Sequence, residues 1–96
     1  MNKERLNTII QYMKDNELPD FNYNDANHCV IPIAESFYGT KPLEDTLEIS
    51  YEQVVYLFHP NDWFPHDNRP GIPSTSTKED VIKHLERFVK SDGLIQ

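Results

Sequence analysis

Leu6, Ile9, Ile10 and Met13 recur at i, i+3, i+4 and i+7, with Asn7 and Thr8 off the stripe. That spacing is one face of a helix. It predicts a first helix over residues 3–16, with Asn2 as its N-cap. Pro19 disfavours helical geometry at Leu18 and stops it. Residues 20–30 carry no period. Their three Asn and two Asp favour turns closed on the local backbone, with Phe21 and Tyr23 turned back onto the core. Cys29-Val30-Ile31 reads as an extended run without a partner strand. Pro32 suits the first position of a helix, which predicts a short helix over 32–38, closed by Gly39. Ile33 and Phe37 are its expected buried pair.

Pro42 opens a further helical turn, with Leu43 and Leu47 at i and i+4. Ser50-Tyr51-Glu52-Gln53 then forms a capping box, in which the Ser50 hydroxyl takes the third helical amide and Gln53 reaches back. Ile49 before the cap and Val54 inside it make a hydrophobic staple. Val54, Leu57 and Phe58 face inward, and His59-Pro60 ends this helix near residue 58. Residues 59–76 hold Pro60, Pro65, Pro70, Pro73 and Gly71 and keep neither period. A loop of that length in a small domain is usually functional. Ser76-Thr77-Lys78-Glu79 reads as a second capping box, opening a last helix over 77–91 that Gly93 ends. Val81, Ile82, Leu85, Phe88 and Val89 form its apolar stripe. Glu79–Lys83 and Glu86–Lys90 have the favourable i, i+4 orientation. These elements predict an all-α fold, a single small domain spanning 1–96. Four to five short helices precede or follow one long Pro-rich loop, which lies before the last of them.

The stretch from Leu47 to Pro60, with Ile49, Ser50, Glu52, Leu57, Phe58 and Pro60 at its fixed points, resembles a segment of small helical proteins encoded by phages and bacteria. Ile33-Ala34-Glu35-Ser36 and Thr77 to Val89 are similar to the second and last parts of the same pattern. The resemblance covers roughly two thirds of the chain and rests on caps and core positions. It implies a helical fold and a phage or mobile-element setting, in a family without assigned chemistry. Glu35 stands where that pattern often has His, so no site residue carries over there.

Composition narrows the picture. Of the 96 residues 38% are hydrophobic and 11% aromatic, too aromatic for a disordered chain. No apolar run approaches a membrane span, and residues 1–19 read as an amphipathic helix rather than as a signal-peptide apolar stretch. The single Cys29 makes no internal disulfide and no thiolate zinc site. These features predict a soluble cytoplasmic protein, in the host cytoplasm if phage-encoded. The net charge of −7 lies wholly in residues 20–62, where Lys41 alone opposes eight acidic side chains; residues 1–19 and 63–96 each balance to zero. Such a segment repels nucleic acid and attracts basic surfaces.

Four groups could carry chemistry. His59, Asp62, His66 and Asp67, with His28 and Cys29 elsewhere, have the donor types of a zinc site, but the spacing fits no ligand pattern and prolines interrupt it. No metal, cofactor or catalytic residue is expected. Cys29 beside His28 reads as a small core residue rather than a nucleophile. Glu44, Asp45, Glu48 and Glu52 would share one face if their helical segments were continuous, giving an acidic ridge. Trp63, in the loop, is either an interface anchor or a lid on the core. The expected function is a small acidic protein-binding module of phage origin. Its partner is a basic surface on a host protein, as for an anti-CRISPR inhibitor, contacted through Glu44, Asp45, Glu48, Glu52, Tyr56 and Trp63. Direct nucleic-acid or membrane binding is not expected. The alternatives are a metal-binding protein or enzyme using the His59–Asp67 loop, and a regulatory homodimer through the last helix.

Overall fold

The computed structural model describes residues 1–63, 66 and 68–95. The described residues form a single all-α domain of five helices, α1 (Lys3–Asp15), α2 (Val30–Tyr38), α3 (Leu43–Leu47), α4 (Tyr51–Phe58) and α5 (Lys78–Lys90). Among the described residues there is no strand.

The first helix follows its stripe. Leu6, Ile9, Ile10 and Met13 are all buried, and the Asn2 side chain accepts the Arg5 N–H. α1 packs chiefly against α5. The two run antiparallel: Lys3 pairs with Asp92 at one end, and Lys78 donates to the Asn16 and Glu17 carbonyls at the other. Lys14 also bridges to Glu86 at 2.8 Å. The expected Glu86–Lys90 pair therefore gives way to a bond between helices, and Glu79–Lys83 does not form among the described residues. Such half-exposed pairs orient helices more than they stabilise them.

α3 ends on the first turn of α1. The Asn2 N–H donates to the Leu47 carbonyl (2.7 Å) and the Arg5 guanidinium to the Thr46 carbonyl (3.0 Å). These are two of the carbonyls that a helix C-terminus leaves without partners. Glu48 then turns left-handed, with φ +56, and breaks the chain direction before α4.

The box at Ser50 forms in full. The Gln53 N–H donates to Ser50 Oγ (3.2 Å), and the Ser50 N–H donates to Gln53 Oε1 (2.8 Å). Gln53 also donates through Nε2 to the Gly93 carbonyl (2.9 Å), tying the start of α4 to the segment after α5. Ser50→Ala should cost about 1 kcal/mol. This would read as a lower urea midpoint at unchanged slope; an unchanged midpoint would mean that Gln53 and the staple hold this end alone.

Three expectations shift. α2 begins at Val30, two residues early, with Cys29 as an extended N-cap. Cys29-Val30-Ile31 is thus a helix start, not an isolated extended run. Pro32 falls in the third position of the first turn, where a missing N–H still leaves no helical carbonyl unpaired. The earlier start rotates the inward face to Val30 and Ala34. Ile33 is consequently half-buried, and Phe37 is 43% exposed, edge-on to Tyr12 with ring centroids 5.4 Å apart. The box before α5 is one residue late: Thr77 is the cap and Asp80 the partner reaching back. Ser76 is occupied elsewhere, donating its hydroxyl to the Pro73 carbonyl at 2.7 Å and closing the preceding turn.

The core gathers Leu6, Ile9, Met13, Tyr23, Leu47, Leu57, Phe58, Val81, Leu85 and Phe88. The loop after α4 is pinned at its two ends. Asn61 bonds to the Ile72 and Gly71 carbonyls (2.9 and 3.1 Å), and both Asp62 carboxylate oxygens accept from Ser74.

Candidate functional site

Pro60 organises the end of α4. A helical carbonyl normally receives the N–H four residues on. For Tyr56 that residue is Pro60, which has no N–H to give. His84 of α5 supplies the donor instead, with Nε2 at 2.9 Å from the Tyr56 carbonyl, which fixes the Nε2–H tautomer. The next carbonyl, Leu57, loses its partner because the Asn61 N–H bonds to Ile72; the Tyr23 hydroxyl donates to it at 2.8 Å. Both donors are buried, His84 to 2% exposure and Tyr23 completely. Burial pushes the Tyr23 hydroxyl far above its ordinary pKa and pulls His84 below the usual imidazole value, with nearby Arg87 acting in the same direction.

This arrangement holds Tyr56 still. Its ring lies 4.5 Å from the His84 ring and 6.1 Å from that of Phe88. Tyr56 is therefore not the exposed edge aromatic expected of it; its contacts with His84 and Phe88 of α5 turn it inward, and it forms the floor of a groove. That groove has a volume of about 460 Å³ and is lined by Tyr51, Glu52, Val55, Tyr56, Arg69, Pro70 and Ile95.

The four acidic candidates do not form one ridge. The left-handed turn at Glu48 separates Glu44 and Asp45 on α3 from Glu52 on α4. Asp45, Glu48 and Glu52 are exposed and Glu44 is half-buried. None of the four takes part in an ion pair among the described residues. Asp25 and Asp62 of the same acidic segment are engaged locally, with His28 and Ser74 respectively. Backbone N–H donation from Asn27, then the bond from His28, hold the Asp25 carboxyl below its ordinary range.

Trp63 is half-buried. Its ring stacks on His59 with centroids 5.2 Å apart, and its indole N–H donates to the Asn24 side chain. It fastens the loop to the turn-rich segment, as a lid does. His59 is thereby part of a stack and Asp62 part of a turn, while His66 is exposed; Asp67 lies outside the described residues. No three His, Cys, Asp or Glu side chains come together as metal donors among the described residues. Cys29 is 2% exposed, and burial pushes its thiol pKa up. A thiol held in that form is a poor nucleophile. The inward face of α5 is taken up by the core, and its outward face carries Lys83, Glu86, Arg87 and Lys90.

His84 and the groove were not singled out from sequence; Tyr23 was expected on the core, where it lies, but not as a hydrogen-bond donor to α4. A usable signal existed for His84. It lies three residues after Val81, on the buried stripe, and Pro60 lies four residues after Tyr56, marking a carbonyl in need of a donor. No helix is long and apolar enough to cross a membrane among the described residues. No protein family, curated protein or solved structure matches the chain.

Proposed function

We propose that this protein is a non-enzymatic binding module of phage or mobile-element origin. It engages a basic surface of a host protein through the acidic segment, and counter-defence inhibition of the anti-CRISPR kind is the sharpest form of the reading. One observation carries it. The ion pairs between α1 and α5 consume charge at the balanced ends of the chain, whereas Glu44, Asp45, Glu48 and Glu52 enter no ion pair among the described residues. Uncompensated surface charge of one sign raises association rates with a complementary surface. A protein groove built for nucleic acid is such a surface, and the carboxylates would occupy the places of phosphates. Lysine or arginine on the partner supplies the missing cations.

Replacing Glu44, Asp45, Glu48 and Glu52 together by Lys should leave the helical circular-dichroism signal intact and abolish partner binding. The measurement is capture of a basic host protein from bacterial lysate, followed by binding of that purified protein across ionic strength. Wild-type binding should weaken with salt, since screening at 0.1 M already acts over about 10 Å. Added nucleic acid should displace it. A variant that still binds as wild type reduces the acidic segment to a solvated surface.

A further inference from the structure

The groove beside α4 has walls that the acidic charge does not explain. Tyr51 is 65% exposed and Ile95 37% exposed, and both line it. Val55 and Tyr56 line it with them. Isolated apolar side chains on a surface are ordinary, but a concave set of them marks an interaction site. Phe37, also exposed, is covered in part by Tyr12; Tyr51 has no such ring partner among the described residues. The floor is preformed, because the Tyr56 ring is packed on His84 and Phe88 and its carbonyl is held by His84. A preformed pocket loses little conformational freedom when filled.

Charge around the groove selects the occupant. Glu52 and Arg69 both line it, one of each sign, so the hollow itself favours a neutral group. Glu48 lies three residues before Tyr51 in the chain, Glu44 and Asp45 precede it, and none of the three enters an ion pair among the described residues. An apolar seat beside an acidic segment suits an apolar side chain with cations on either side of it. We propose that this groove seats one large apolar side chain, which the basic partner presents between lysines or arginines. This rests on the reading of the acidic segment as the partner-binding face, and it makes the groove the source of specificity and slow release while the carboxylates set the encounter rate.

The test uses two synthetic peptides on the full chain at low salt, followed by NMR amide shifts and calorimetry. One has a single tryptophan flanked on both sides by lysines; the other has glycine in its place. The tryptophan peptide should bind about tenfold more tightly or better, shifting the amides of Tyr51, Val55, Tyr56 and Ile95. The glycine peptide should shift the acidic segment alone. Tyr51→Ala and Ile95→Ala, both at exposed positions, should each bring the tryptophan peptide towards the affinity of the glycine peptide. Equal binding of the two peptides by the wild type overturns the groove and leaves the acidic-face reading standing. Binding of neither peptide overturns both. A wild-type dimer that Tyr51→Ala dissociates would put a second copy in the groove and overturn the basic-partner assignment.

Discussion

Leu85→Ala should remove about 2–5 kcal/mol of stability, from a total on the order of 5–10 kcal/mol for a domain of this size. Leu85 is fully buried on the inward stripe of α5, within the same cluster as Leu6, Ile9 and Met13 of α1. Truncation to alanine deletes apolar contacts and leaves a void in a close-packed cluster, which the surrounding side chains fill only in part. A domain this small shifts its Tm by about 4–8 °C per kcal/mol. Thermal or urea unfolding should therefore place the variant near the edge of folding at 37 °C. A loss under about 1 kcal/mol would mean that α1 and α5 re-pack freely around the vacated position, contrary to a close-packed core.

Acidification below about pH 6.5 should destabilise the protein, and His84 is the main reason. Burial lowers its pKa in the folded state, so the unfolded chain, at about 6.5, takes up the proton first. The stability that neutral His84 contributes is complete above that value. It is lost progressively as pH falls below about 6.5 towards and through the folded pKa, with a slope of at most about 1.4 kcal/mol per pH unit. His59 acts in the same sense, through burial and then Arg69, but it is more exposed and contributes less. The lowered carboxyls of Asp25 and Asp92 add a loss of their own as those carboxyls take up protons at lower pH. His84→Gln retains an N–H donor for the Tyr56 carbonyl and does not titrate there; it should flatten the profile between pH 7.5 and about 5. His84→Leu leaves that carbonyl buried without a donor, at a cost of about 1–3 kcal/mol. Urea midpoints across pH decide the matter, and superimposable profiles for the wild type and the Gln variant would rule His84 out.

The parts of the fold written in local chemistry were legible. The stripe Leu6–Met13 needs only helical geometry to define α1, and Ser50 with Gln53 needs only each other. Errors arose where two local solutions compete. Ser76 and Thr77 are adjacent hydroxyls that can each cap; the turn at Pro73 engages the first and leaves the second. Val30 to Pro32 can begin a helix or extend, and burial of Val30 and Ala34 decides. The groove was hidden for a different reason. Its walls come from α4, the end of the Pro-rich loop and the segment after α5, and no spacing along the chain announces their meeting. Of the residues chosen for partner contact, Glu52 and Tyr56 share that groove. Glu44 and Asp45 stand on the other side of the left-handed turn that Glu48 makes, and Trp63 fastens the loop to Asn24.

The pairing of α1 with α5 also sets an order of events. A chain made from its N-terminus exposes Leu6, Ile9, Ile10 and Met13 long before Val81, Ile82, Leu85 and Phe88 exist to cover them. Neither helix has a neighbour in sequence that could serve as a substitute: α3 offers α1 a smaller contact, and α2 and α4 none of comparable extent. Closure of the domain is thus a long-range event despite the all-helical content, and folding is slower than for a bundle of consecutive hairpins. Until α5 has been synthesised, the nascent protein carries a bare apolar stripe, the kind of surface that holdase chaperones bind and that aggregates at high expression.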